Sequence, residues 1–404
     1  MGRLISTMLA GAIAIALVGS AGCAATAATG GSGAASGSAA AESAVRDASW
    51  HDSDLGCGWE ATGSLELAHA TQFAIDEYDG GYRLICCASG ERYLVVPEGS
   101  EAPAGLSDDI AVIHQPLDDV YLVSTGMICL LDELGALDAV TVASVTPETS
   151  PNDDLTAGLE DGSIVYGGRY RDPDYELIAE RGCSLAIENT QIHRYPEVKQ
   201  KLEDLGVTVF TEQSSTEDEV LGRLEWIRAM GVLFGREAEA DAAYERICAN
   251  VERVAAEEPT GRTVAFFYID SDGSAVVRRS GDYFAQMIEL AGGEAVSFDP
   301  EAGSDASHTT YITVEMEEFF ARAKDADVII YNSTVDESVE TIDGLVARNP
   351  LLADFAAVRS GEVYACDANL YQQMTSTDGI ISDIRAALTG DSDPSEFIWR
   401  LARS

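Results

Sequence analysis

Arginine, tyrosine and small polar side chains fall together at five places in this 404-residue chain, each tied to a strand-like or helical run. Tyr121, Ser124 and Thr125 close the run VYLV and open a helical pattern. Arg223 and Trp226 stand at the head of a long helical segment. Arg278, Arg279 and Tyr283 follow SAVV, Tyr331 and Asn332 follow DVII, and Tyr371 and Gln372 follow VYACDANL. In open α/β sheets, ligands bind beyond the carboxyl ends of strands. Small-molecule sites there need apolar or aromatic walls and a few orienting polar groups. Tyrosines with arginines supply both, and the arginines suit an anionic ligand. Each tyrosine reads equally as a half-buried core residue, and Arg223 as a salt-bridge partner of Glu219 or Glu225.

Catalytic signatures are scarce. The chain has no HExxH, no GxxxxGK[ST], no GxGxxG opening a helix after a strand and no GxSxG elbow. Its five histidines (His51, His69, His114, His193 and His308) include no two at ligand spacing. A histidine-built metal site is therefore not expected, short of residues distant in sequence converging. Acidic pairs such as Asp118–Asp119 and Glu317–Glu318 read as solvated faces, because the net charge is −44. That charge excludes nucleic-acid binding, since phosphates would be repelled. Only Lys199, Lys201 and Lys324 are lysines, so positive charge is almost all arginine. Besides Cys23 there are seven cysteines with no CxxC, read as buried free thiols, with one or two disulfides as the alternative.

The N-terminus sets the compartment. Residues 1–22 carry one early cation, Arg3, then an apolar run too short to span a bilayer, ending SAG before Cys23. This is the pattern of a lipoprotein signal peptide. Cys23 would carry the lipid, and residues 23–48 would form a tether, Ala24 to Ala41 being only Ala, Thr, Gly and Ser. Residues 49–215 then read as an α/β lobe, 216–260 as a helical connection and 261–404 as a second α/β lobe. Within 49–80 no period is sustained. A hairpin is expected at Tyr82–Pro97, turning at Ser89–Gly90, and further strands at 110–114, 120–123, 138–145, 183–187 and 207–210. The second lobe shows strands at 263–269, 275–278, 328–331 and 362–366. Helices are expected there at 282–291, 313–323, 351–358 and 378–388, and a last one at 394–402. Alternating strands and helices imply parallel sheets with crossover helices. In the connection, Ala240, Tyr244, Ile247, Val251 and Val254 step at helical spacing, so Arg236–Glu258 reads as one helix of roughly 35 Å.

The segment SSTEDEVLGRLEWIRAMGVLFGREAEA carries the core Leu221, Gly222, Arg223, Glu225, Trp226 and Ile227. It resembles the entry to the interlobe helix of cluster-A (class III) substrate-binding lipoproteins of ABC transporters, the ferric-siderophore, haem and vitamin B12 binding family. GDYFAQMIELAGGEA, AKDADVIIYNSTVD and VRSGEVYACDANLYQQ follow in the family's order, and the resemblance covers most of residues 80–390. It implies two Rossmann-like lobes around a rigid helix, a metal chelate as ligand, no catalytic residues and no resident cofactor or metal. It also implies a monomer that docks on a permease through one carboxylate per lobe. Glu197 is the first-lobe match; in the second lobe Tyr371, Gln372 and Gln373 stand where relatives carry glutamate. The expected function is capture of a ferric siderophore for an ABC importer. Haem or cobalamin is the alternative ligand, and an extracytoplasmic chelatase-like enzyme the alternative class.

Overall fold

Tyrosines, valines and isoleucines between residues 63 and 114 pair into a sheet of which only part shows in the sequence. A computed structural model describes residues 50–298, 311–394 and 396–403. Residues 1–48, where a signal peptide, a lipidated Cys23 and a tether are expected, and His308 lie outside the described residues. Gly63–Ser64, Phe73–Glu77, Arg83–Cys87, Arg92–Val96 and Ile110–His114 form a five-stranded sheet in that order. All its pairs are antiparallel except the last. The expected hairpin is its centre, turning through Gly90 at φ 97°. The strands at 63–64 and 73–77 are additions, hidden because both faces of Phe73–Glu77 are covered and no clean alternation remains.

The next sheet is wholly parallel, in the order Thr208–Glu212, Leu185–Asn189, Val120–Leu122, Val140–Ala143, Val165–Tyr166. The second lobe has Thr263–Ile269, Val328–Tyr331 and Val363–Cys366 parallel at its centre. Its flanks are antiparallel: Ala275–Arg278 and Tyr311–Val314 on one side, Ile398–Arg400 on the other. Two expectations are corrected here. Residues 311–314 are a strand and the helix starts only at Met316; residues 398–400 are an edge strand, not a helix. A short helix at Ile342–Arg348 was also missed.

Between the sheets lie two helices, Val220–Phe234 and Glu237–Ala255. The second is shorter than expected, ending at Ala255. Gly235 turns the chain in the left-handed region at φ 63°, which favours glycine. The helices then pack so closely that a Cβ on Gly231 would lie 2.6 Å from that of Ala240. The apolar positions stepping from Ala240 to Val254 are all buried. The first helix is buried nearly all round, Glu225 and Trp226 included, as suits a central helix.

One apolar cluster runs through all these layers. It joins Phe73, Ile85 and Tyr93 of the N-terminal sheet, Leu122 and Ile187 of the parallel sheet, both helices, and Val264, Phe284, Ile330 and Ile384 of the second lobe. The outer faces of the two lobes have their own clusters. Two carboxylates fix the N-terminal sheet to the central helix. Glu225 accepts the backbone N–H groups of Ala68, His69 and Ala70 at 2.7–2.8 Å. Glu217 accepts those of Thr71 and Gln72 and the Trp226 Nε1–H at 2.9 Å. A third, Glu188, is fully buried on the outer face of the parallel sheet, and neither of its oxygens has a partner among the described residues. Burial pushes its carboxyl up to about 8.

Candidate functional site

Strand ends of the second lobe and the start of the central helix meet around two stacked pairs. Arg223, in the first turn of Val220–Phe234, lays its guanidinium 4.1 Å from the centroid of the Tyr283 ring. Arg278, ending the strand Ala275–Arg278, lies 4.7 Å from the centroid of Tyr371. Tyr283 and Tyr371 meet edge to face at 5.7 Å. The quadrupole of each ring attracts the cation above it and fixes a long side chain at little entropic cost. Asp282 caps the helix Tyr283–Leu290 through the Phe284 N–H and approaches Arg278 at 3.5 Å. Asn332, just past Val328–Tyr331, donates to the Tyr371 hydroxyl at 2.9 Å and accepts from Thr334.

Arg223, Arg278, Asp282, Tyr283 and Tyr371 border a cleft of about 670 Å³, open to solvent. One wall is Ser215–Asp218, the connection leaving the last strand of the parallel sheet; the other is Arg278–Tyr283 with Tyr371, and Arg223 stands at their junction. Arg278 also borders a second depression of about 300 Å³ with Tyr268 and the exposed Tyr311. The second lobe is tied to the helical connection beside the cleft by Gln286. It accepts from the Val220 N–H at 3.1 Å and donates to the Asp218 carbonyl at 2.5 Å.

Burial shapes the charges of the cleft. Burial opposes the charge on Arg278, but Tyr371 and Asp282 more than offset it, and its pKa lies above the ordinary value. Burial raises the Asp282 carboxyl, and Arg278 and Arg223 only partly counter that. Burial likewise keeps both tyrosine hydroxyls protonated. The Nε of Arg223 is buried with no hydrogen-bond partner among the described residues. The cleft lining thus holds the guanidinium groups of Arg223, Arg278 and Arg279 and three carboxylates, Glu217, Asp218 and Asp282, of which burial biases Glu217 and Asp282 toward the neutral form.

The remaining expected site residues fall elsewhere. Tyr121 is fully buried in the outer cluster of the parallel sheet, its hydroxyl toward the Gly167 carbonyl. Trp226 is also fully buried, packed on Phe73 and Phe210 and tied to Glu217. Tyr331 is buried too, donating to Asp336 at 2.7 Å and accepting from the Ile269 N–H. None of these three rings reaches the cleft; alternation along each strand, or the helix turn, points them into core. Ser124 is buried and donates to Glu212, and Thr125 precedes the helix Gly126–Glu133. Gln372 has a buried, unpartnered side-chain carbonyl, and Arg279 lines the cleft. Glu197 is exposed in the first turn of Pro196–Asp204. Neither Glu219 nor Glu225 pairs with Arg223: Glu219 meets His69 at 2.5 Å and Glu225 meets Arg228. Sequence reasoning missed Asp282 and Gln286; the signal for the first was an aspartate directly before a helix.

Residues 120–370 match the family described as periplasmic binding protein. The chain belongs to that family. This binding protein is also 26% identical over 336 residues to an uncharacterized lipoprotein of Methanocaldococcus jannaschii, covering 78% of this chain and 77% of the relative. Among solved structures, a periplasmic heme binding protein of Pseudomonas aeruginosa superposes with a TM-score of 0.54 at 18% identity, over 71% of this chain and 99% of its own. A protein of an Fe3+-hydroxamate transport system from Saccharomonospora viridis superposes with a TM-score of 0.50 at 19% identity, over 68% and 94%. The binding protein therefore has the two-lobed α/β fold expected from its sequence, in a family of substrate-binding proteins rather than enzymes.

Proposed function

We propose that this binding protein is an extracytoplasmic lipoprotein that captures an anionic metal chelate, of the ferric-siderophore type, and delivers it to an ABC importer. The observation that carries this reading is the pair of guanidinium groups, each seated on a tyrosine ring at the mouth of one cleft. A chain of net charge −44 repels anions at long range. Only arginines held within about a Debye length, ~8 Å at physiological salt, can reverse that locally. The tyrosine edges and Tyr371 hydroxyl offer the flat apolar contact and single polar handle that a chelate's ligand shell needs. Cys23, by its position after SAG, is the lipidation site, and residues 24–41 tether the folded part to the membrane. Glu197 is the first-lobe docking carboxylate.

Haem and cobalamin are the competing ligands. Haem carries two carboxylates that would satisfy the same arginines, and four of the structural relatives are heme-binding proteins by name. The deciding experiment is calorimetric titration of the full chain with an anionic ferric catecholate, a cationic ferric hydroxamate, haemin and cyanocobalamin. The expected result is tight one-to-one binding of the ferric catecholate and at least tenfold weaker binding of the cationic complex. Preference for the cationic complex or for cobalamin would overturn the reading, and preference for haemin would replace the ligand class while keeping the cleft.

A further inference from the structure

The N-terminal sheet carries a polar cluster that the cleft does not use. Asp76 and Cys86 stand on neighbouring antiparallel strands, where Ala74 pairs with Cys86 and Asp76 with Leu84. Side chains alternate along a strand, so Ala74 and Asp76 share a face with Leu84 and Cys86. The carboxylate and thiol are thus diagonal neighbours. Cys87 points the opposite way, into the main core beside Thr211. Two adjacent cysteines therefore have unrelated surroundings.

A third donor reaches this face from residues 50–57. Leu55 is fully buried there with Leu84 and Leu94. Tyr78 donates to the Ser53 carbonyl, and the Cys86 thiol to that of Asp52 at 3.4 Å. These contacts hold His51 with Nε2 at 2.6 Å from an Asp76 oxygen. The donor atoms of His51, Asp76 and Cys86 all lie within 4.8 Å of one another. Ser64 donates to the other Asp76 oxygen and so orients the carboxylate. Asp76 and Cys86 are each 1% exposed, whereas His51 and Ser64 border an open cavity of about 370 Å³ that gives a way in. Arg92, near the thiol, has its charge countered by Asp109 at 3.0 Å and reaches the Asp54 carbonyl.

We propose that His51, Asp76 and Cys86 form a binding site for a divalent transition-metal ion of the zinc or cobalt kind, separate from the ligand cleft. Imidazole nitrogen, carboxylate oxygen and thiolate sulfur together select borderline-soft ions over magnesium or calcium. Three protein ligands leave one position of a tetrahedron for water, on the cavity side. The carboxylate and the thiolate balance the two positive charges. On binding, the Cys86 thiol releases its proton to solvent, the imidazole binds in its neutral form, and nothing is oxidised or reduced. The ion would join residues 50–57, which follow the tether, to the sheet.

The test titrates the metal-free full chain with Co2+. The expected result is a thiolate-to-cobalt charge-transfer band that saturates at one ion per chain and is lost on adding Zn2+. Cys86→Ser and His51→Gln should each lose the band or weaken Co2+ affinity at least tenfold, while Cys57→Ser keeps it. Absence of the band in the parent protein, or its persistence in Cys86→Ser, overturns the proposal. Should Cys86→Ser fail to fold, His51→Gln decides, because that side chain is partly exposed; unchanged Co2+ binding there also overturns it.

Discussion

Arg223 and Tyr283 belong to different segments, the central helix and the second lobe, yet the guanidinium carbon sits 4.1 Å from the ring centroid. The contact spends one face of the guanidinium on the ring, and the Nε is left without a hydrogen-bond partner among the described residues. Arg223 nonetheless lines the cleft beside Arg278, so an anionic ligand of the proposed kind would meet both side chains there.

Arg223→Ala and Arg278→Ala should therefore weaken an anionic chelate by well over tenfold, because removing one desolvated charge partner costs ~2–5 kcal/mol. A cationic chelate should lose little or even gain. Calorimetry with both ligands checks this. Equal small losses would mean that the arginines only brace the two tyrosines.

Glu225 is fully buried and accepts three consecutive backbone N–H groups from residues 68–70, besides meeting Arg228. Glu225→Ala removes the acceptor of all three and leaves Arg228 with Asp241 as its remaining carboxylate partner. The expected destabilisation is ~3–5 kcal/mol. It should show as a lower urea midpoint with unchanged slope. Glu225→Gln keeps one oxygen and should lose less.

The Glu188 carboxyl is raised by burial from 4.5 to about 8. Between those values the folded chain holds a proton that the unfolded chain has released. Stability should therefore be unaffected by this group below pH 4.5, fall as pH rises towards 8, and level off above it. In Glu188→Gln that fall should shrink, so melting temperatures at the acid and alkaline ends should lie closer together than in the parent. An unchanged pH profile would mean that the carboxylate finds water or a cation.

Glu197 is exposed at a helix start, well outside the cleft lining. Glu197→Ala should leave chelate affinity intact and reduce uptake by cells carrying the transporter, since a carboxylate meeting a permease arginine forms a charge-assisted contact. Loss of affinity with normal folding would place this residue in ligand binding instead.

Much of this was legible in the chain because the signal was periodic. The parallel strands are short apolar runs between helices, and the spacing from Ala240 to Val254 marked its helix face. Arg223, Arg278, Tyr283 and Tyr371 were legible as strand-end or helix-start residues, but their stacking was not, since it depends on how the lobes meet. Tyr121, Trp226 and Tyr331 carry the same residue types as the cleft and face the core, a matter of pleat and helix phase that composition does not encode. The N-terminal sheet was hard to read because it is covered on both sides, which erases alternation. The His51, Asp76 and Cys86 cluster was invisible for a related reason: its members are 35 positions apart at the extremes, Asp76 and Cys86 meeting through strand register and His51 brought to them by the contacts of residues 52–55.

The apolar cluster that threads the N-terminal sheet, the helix pair and the second lobe has a consequence for how the molecule comes apart. Neither lobe owns a complete inner face; each borrows one from the two helices. Cutting the chain near residue 260 would strip the second lobe of the helices that cover Phe284 and Ile384 and expose both fragments' interiors. Heating the intact chain should accordingly give one calorimetric transition rather than two. What divides into two lobes by its sheets would then unfold in solution as a single cooperative body.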